Sequence, residues 1–223
     1  MESDTDQAAE GSKSSAGGAM MKSLVRMSVI CTMTLLIAGC GGGVRRPHYY
    51  ALEIPPAPDR MPSTPRFPGT MAVCRFETPS YLRQGRIVYR ETPEEVGFYD
   101  YHRWAAEPGE TITTAMIDAL HSSRLFSVVK RYDGHNQQDY MLVGRLERLE
   151  EIDYGGPVRV EAKISAELVN LRTGATEWTG DARQTLSVEN RNVNSVVKAM
   201  NGAVRNSIDQ LLASLGQQPL SDR

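Results

Sequence analysis

The stretch YLRQGRIVYR, Tyr81 to Arg90, sets Arg83, Arg86 and Arg90 among aromatic and branched apolar side chains, and FYDYHRW follows at 98–104. Planar guanidinium donors suit phosphates and carboxylates, and Tyr and Trp are enriched where proteins meet. Three chemistries therefore compete: nucleic-acid binding, catalysis, and a sheet edge built to meet another protein. Catalysis lacks its parts. His48, His102, His121 and His135 lie far apart, no two share a metal spacing, and no HExxH, GxSxG, GxxxxGK[ST] or GxGxxG motif occurs, so ATP hydrolysis by this chain is excluded as well. Glu150 and Glu151 are adjacent, but neighbours on a strand point to opposite faces, so they read as a solvated strand end rather than an acid–base pair. His102, between Tyr101 and Arg103, is the best lone candidate for proton chemistry; with no partner in its vicinity it reads as structural or superficial.

Cys40 has the most specific chemistry. Lys22 and Arg26 precede the mostly apolar run 27–37, which ends in the small pair Ala38-Gly39 and then Cys40. This is the layout of a signal peptide, and the run is far shorter than the roughly 20 residues of a membrane-spanning helix. Ile37-Ala38-Gly39-Cys40 resembles the bacterial lipobox, in which the thiol receives a diacylglyceryl group, the preceding peptide is cleaved and the new amino terminus is acylated. Cys40 is then the first residue of the mature protein. Residues 1–19 are polar and carry four acidic groups, so translation is expected to start at Met20 or Met21.

Beyond Cys40 the chain carries 22 basic and 23 acidic residues. Attraction to phosphate scales with the cations presented, so a balanced chain argues against a nucleic-acid partner. Cys74 is the one remaining cysteine, in the alternating run TMAVCRF; it can form no intramolecular disulfide and is expected to be a small buried apolar group, and no metal or cofactor site is indicated.

The chain divides into three regions: a polar extension with signal peptide at 1–39, a lipidated Gly/Pro-rich tether at 40–69 and a domain at 70–223. The tether opens with Gly41-Gly42-Gly43 and holds six of the twelve prolines between Pro55 and Pro68, with a short strand at 49–54 between them. Extended at about 3.1 Å per residue, it would let the domain stand tens of ångströms off a bilayer. Short strands are predicted at 70–76, 86–91 and 97–103, then a helix from Pro108 to about Ser122 and a strand at 126–131. In 157–168, Val158, Val160, Ala162, Ile164, Ala166 and Leu168 alternate with Arg159, Glu161, Lys163, Ser165 and Glu167, giving one buried and one wet face. A similar strand from Tyr140 changes phase near Glu147-Arg148, which suits a β-bulge, and a third comes after the turn at Gly174. A last helix begins near Asn192 or Asn194 with an apolar stripe from Val196 to Leu215. The expected fold is α+β: a mostly antiparallel sheet with a long-strand meander, one face covered by two helices.

YYALE (49–53), SYLRQGRIVYR (80–90), FYDYHRWAAEP (98–108) and DYMLVGRLERLEE (139–151) occur in that order after the lipobox. With them the chain resembles the ABC-type transport auxiliary lipoproteins. The resemblance implies a non-enzymatic outer-membrane lipoprotein facing the periplasm, with a domain similar to the amino-terminal domain of TolB. Its implied partners are an MCE-domain protein and an inner-membrane ABC/permease complex, its implied role lipid traffic, and some members assemble as rings, so a homo-oligomer is expected. Gly41 after the cysteine fits outer-membrane sorting. Two rivals stay open: a lipid-binding shuttle and a structural envelope lipoprotein without a transporter.

For the opening stretch the expectation is a partner interface of Tyr81, Arg83, Arg86, Arg90, Arg103 and Trp104, with Tyr89 and Trp104 equally open to a core role and Arg103 to an ion pair. A strand at 86–90 would bury Ile87 and Tyr89 and turn the arginines outward.

Overall fold

In a computed structural model, residues Lys22, Leu24, 26–28, 45–55, 65–135 and 137–218 are described. The first few are helical, and the sheet and its covering helices belong to the unit from Arg46 onward. Cys40 lies outside the described residues.

Three long strands form the frame: β6 (Tyr140–Ile152), β7 (Arg159–Asn170) and β8 (Thr176–Ser187), antiparallel throughout. Their alternation is the reason: Val160, Ala162, Ile164 and Leu168 are fully buried on one face. The register slips between Leu146 and Arg148, the bulge that the change of phase requires. Over this face lies α2 (Val193–Gln217), whose Val196, Met200, Ala203, Val204, Ile208, Leu211 and Leu215 are buried at helical spacing. Asn192 caps it, its side chain accepting from the Ser195 amide at 2.9 Å. Gly180 has no side chain for a structural reason, since a Cβ there would fall 2.2 Å from the Trp178 ring; Trp178 Nε1 donates to Ser214 at 3.1 Å.

The other side of β6 forks. At its start it pairs in parallel with β2 (Phe67–Val73), which pairs in parallel with β5 (Phe126–Arg131). At its end it pairs in parallel with β3 (Arg86–Arg90), which pairs antiparallel with β4 (Gly97–Trp104), and β4 pairs in parallel with β1 (His48–Tyr50). Antiparallel pairing still holds the greater length, as expected of an α+β sheet; the parallel contacts go beyond that expectation. Parallel neighbours cannot be joined by a hairpin and need a crossover, and α1 (Pro108–Ser123) lies on the path from β2 to β5. Pro108 opens α1, and Thr113, fully buried, ties it to the sheet by accepting from the Phe76 amide at 2.9 Å. Among the described residues no helix is long and apolar enough to cross a membrane.

β1 revises the expected tether. It is shorter than the predicted 49–54 strand, and its registered pairs His48–His102, Tyr49–Arg103 and Tyr50–Trp104 place it on the sheet. Leu52 is buried behind it and Ile54 packs on the core. The stretch between Cys40 and the first paired residue is thus 41–47, not the whole segment to Pro68. Cys74 lies just past the end of β2, half-buried rather than enclosed, its thiol pKa pushed up by burial.

Candidate partner-docking edge

The six residues singled out for a partner contact lie on β3, β4 and the 3-10 turn Leu82–Gln84 that leads into β3, with Tyr81 at the start of that turn. The turn closes on Gly85, which adopts φ +70°, a left-handed conformation that costs glycine little. Leu82 is fully buried, so the turn packs down on the sheet and fixes its neighbours.

Two of those neighbours face inward around Glu150. This carboxylate is fully buried, against the expectation of a solvated strand end. The Tyr81 hydroxyl donates to its Oε1 at 2.6 Å, and Arg90 pairs with it through Nε while Nη2 reaches Oε1 at 3.3 Å. Arg90 Nη1 also donates to the Pro93 carbonyl at 2.9 Å. Burial, then the bond to Glu150, pushes the Tyr81 phenol pKa far up, and the same carboxylate is the main cause of the raised Arg90 pKa. Removing one member of such a pair strands a buried charge at a cost of about 3–5 kcal/mol. Arg90, whose side chain is 12% exposed, is therefore turned inward and not outward. Val88 is also fully buried, beside Ile87, because the sheet has packing on both sides here.

Glu151, 6% exposed, accepts from the Tyr99 hydroxyl at 2.7 Å; burial raises its pKa and that hydrogen bond partly offsets the rise. Tyr99 stands edge-on to Tyr89 and to His102. His102 stacks on His48 with ring centroids 5.4 Å apart and shares a 2.9 Å hydrogen bond through Nδ1 with the Tyr50 hydroxyl. Burial and the neighbouring His48 lower its pKa. This aromatic group clamps β1 to β4. Tyr89 packs on Gly97, its registered partner, where a Cβ would sit 2.4 Å from the ring. Trp104 is 5% exposed and belongs to the core, with Nε1 unbonded.

Arg83, Arg86 and Arg103 remain accessible. Arg83 is exposed and donates to the Thr78 carbonyl at 2.5 Å. Arg86 meets Asp100 at 2.8 Å and lies over the Phe98 ring at 5.6 Å. Arg103 stands opposite both Arg86 and Tyr49, so the three share one face. Among the described residues no group of three or more His, Cys, Asp or Glu is placed to hold a metal ion.

Sequence reasoning misses a third buried carboxylate. Glu161, expected on the wet face of β7, is 3% exposed beneath Arg183 at 2.6 Å and Arg148 at 3.3 Å. Alternation locates its face, but nothing in the local sequence signals that two guanidinium groups cover it.

A family model for the ABC-type transport auxiliary lipoprotein component matches residues 50–211. The chain belongs to this family. Its fold is shared with a crystallised DUF330 protein from Xanthomonas campestris, at a TM-score of 0.65 and 19% identity, covering 74% of this chain and 92% of that one. A second solved structure, of an uncharacterized protein, aligns at 0.60 and 15% identity over 77% and 99% of the two chains. No curated protein matches the chain. The auxiliary lipoprotein component thus carries its family features on the sheet and its two helices, and the four sequence elements from YYALE to DYMLVGRLERLEE all fall on or beside its first strands and β6.

Proposed function

We propose that this auxiliary lipoprotein is a non-catalytic subunit of an ABC/MCE-type transenvelope lipid transport system, anchored through Cys40 in the outer membrane and docking the complex there from the periplasmic side. The observation that carries the reading is the family match, which begins ten residues after the lipobox cysteine. The covalent lipid supplies attachment, since each buried methylene contributes about 0.8 kcal/mol and a multiply acylated terminus carries dozens. No cofactor is required. The partners are an MCE-domain protein and the inner-membrane ABC/permease complex, with the subunit acting as a homo-oligomer.

Of the six residues, Arg83 and Arg86 are those we assign to the MCE-side contact, with Arg103 opposite Arg86 on its face of the sheet. Tyr81, Arg90 and Trp104 shape that edge from within. A photocrosslinker at Arg83 in native envelopes is expected to capture the MCE protein. The double reversal Arg83→Glu with Arg86→Glu is expected to reduce co-purification of that protein while the fold persists. A folded double variant recovered with undiminished partner, or lipoprotein fractionating with the inner membrane, would overturn the assignment. Stoichiometric phospholipid in native mass spectra would instead favour a shuttle.

A further inference from the structure

Seven residues, 41–47, separate Cys40 from His48, where β1 begins. Fully extended, that stretch lets His48 stand at most about 28 Å along the chain from the cysteine. A domain of this size is about 40 Å across. β1 ends the strand path and is held there by its pairing with β4. With Cys40 acylated, the corner made by β1 and β4 is therefore the part of the domain kept beside the bilayer, and its surface can be read for fitness to that neighbour.

The linking residues 41–47 include Arg45 and Arg46 and no carboxylate, and Arg46 is exposed just ahead of β1. Tyr49 on β1 is 64% exposed and Tyr101 on β4 is 42% exposed. The other large hydrophobic side chains exposed among the described residues from Arg46 onward, Val128, Val143 and Leu171, stand singly on or beside other strands. Arg103 stands opposite Tyr49 on one side and Arg86 on the other. Like charges directly opposite each other destabilise a strand pair. Asp100 meets Arg86 at 2.8 Å, whereas among the described residues no carboxylate pairs with Arg103. Arg103 thus brings a repulsion that nothing in the described fold offsets, and an anion from outside would offset it.

We propose that Arg46, Tyr49, Tyr101 and Arg103 form a second contact with the bilayer that holds the Cys40 lipid, the arginines meeting phosphates of anionic phospholipid headgroups and the tyrosines lying at headgroup depth. The proposal rests on acylation at Cys40 and not on the MCE partner. Tyrosine suits that depth because its ring is apolar and its hydroxyl is wet. Each basic side chain close to an anionic membrane strengthens binding about fivefold. The anchor makes the contact intramolecular, so a patch too weak to bind a membrane alone is sufficient here. Arg86 keeps Asp100 and stays available to the MCE-side contact, which this orientation sets next to the bilayer rather than on the far side of the domain.

The test uses the acylated mature chain with Cys74→Ser, reconstituted into phosphatidylcholine vesicles with and without phosphatidylglycerol. A donor dye is placed on Pro47→Cys, or on Ser127→Cys in β5 at the other end of the strand path, and energy transfer to acceptor-labelled headgroups is read. Phosphatidylglycerol is expected to raise transfer from position 47 and not from position 127, and molar salt should remove the rise because the Debye length falls to about 3 Å. Arg46→Glu with Arg103→Glu is expected to weaken docking about 30-fold or more, read as phosphatidylglycerol is titrated. Arg46→Glu alone, outside the strands, should weaken it about fivefold and serves if the double variant does not fold. Transfer that ignores phosphatidylglycerol in an acylated chain would overturn this contact and leave the anchor standing. A mature mass without acyl groups would overturn both. Unchanged transfer in the folded double variant, with less MCE protein co-purified, would give the corner to a protein and overturn the proposal.

Discussion

The two halves of the sheet are held together by different physics. Around β7, β8, α2 and the first part of β6 the buried groups are mostly aliphatic, with Trp178 the largest side chain and Glu161, beneath its two arginines, the charged exception. Around β1, β3 and β4 the strands are short, and the contacts that secure them are polar: Glu150 with Arg90 and Tyr81, Glu151 with Tyr99, His102 with Tyr50 and His48. Apolar burial is roughly proportional to area and forgiving of detail, whereas a buried carboxylate depends on each partner being present. The aliphatic half is therefore a scaffold, and the polar half is a set of joints whose strength depends on chemistry.

Three measurements break or sharpen that contrast. Trp178→Ala removes a buried aromatic and its Ser214 bond, and denaturant unfolding is expected to show a loss of about 3–5 kcal/mol. In the polar half, Arg90→Leu is expected to cost about 3 kcal/mol by stranding Glu150, and adding Glu150→Leu should recover most of it. A double variant no more stable than the single would show that the joint is not ionic.

The smallest effect is pH dependence at β1. The His102 pKa is lowered from 6.5 in the fold, so the unfolded chain takes up its proton first as pH falls. Stability contributed by neutral His102 is present above pH 6.5 and is lost progressively below it. Protection of the β1 amides, measured against their intrinsic exchange rates at each pH, is expected to fall below that pH while the β7 amides stay protected, and His102→Gln should flatten the response. An equal loss of protection in both strands would dissolve the distinction between the halves.

The same division governs what is legible in the sequence. The three long strands, their bulge, the Asn192 start of α2 and the Pro108 start of α1 can be read because each is a local pattern: alternation, a change of phase, a cap. The strands 86–90 and 97–104 can be located too, but their faces cannot. Alternation turns Arg90 outward because it counts residues along one strand, and the true direction is decided by Glu150, 60 positions away. Glu150, Glu151 and Glu161 read as solvated for the same reason. Of the six candidate interface residues, spacing identifies the types and cannot tell Arg83, left in solvent, from Trp104, left in the core.

By itself the sequence determined the near-neutral domain without catalytic motifs, the α+β class and the family, and it set the expectation of lipidation at Cys40. These depend on local periodicity and on the order of short motifs, which survive without coordinates. Only the tertiary structure decided that β1 is clamped to β4, so that seven residues separate Cys40 from the first paired strand residue, His48. It alone decided, among the described residues, that Glu150, Glu151 and Glu161 are buried and that β8 has β7 as its one strand neighbour. Those outcomes depend on which distant segments meet, and that is settled by the shared core rather than by any one segment.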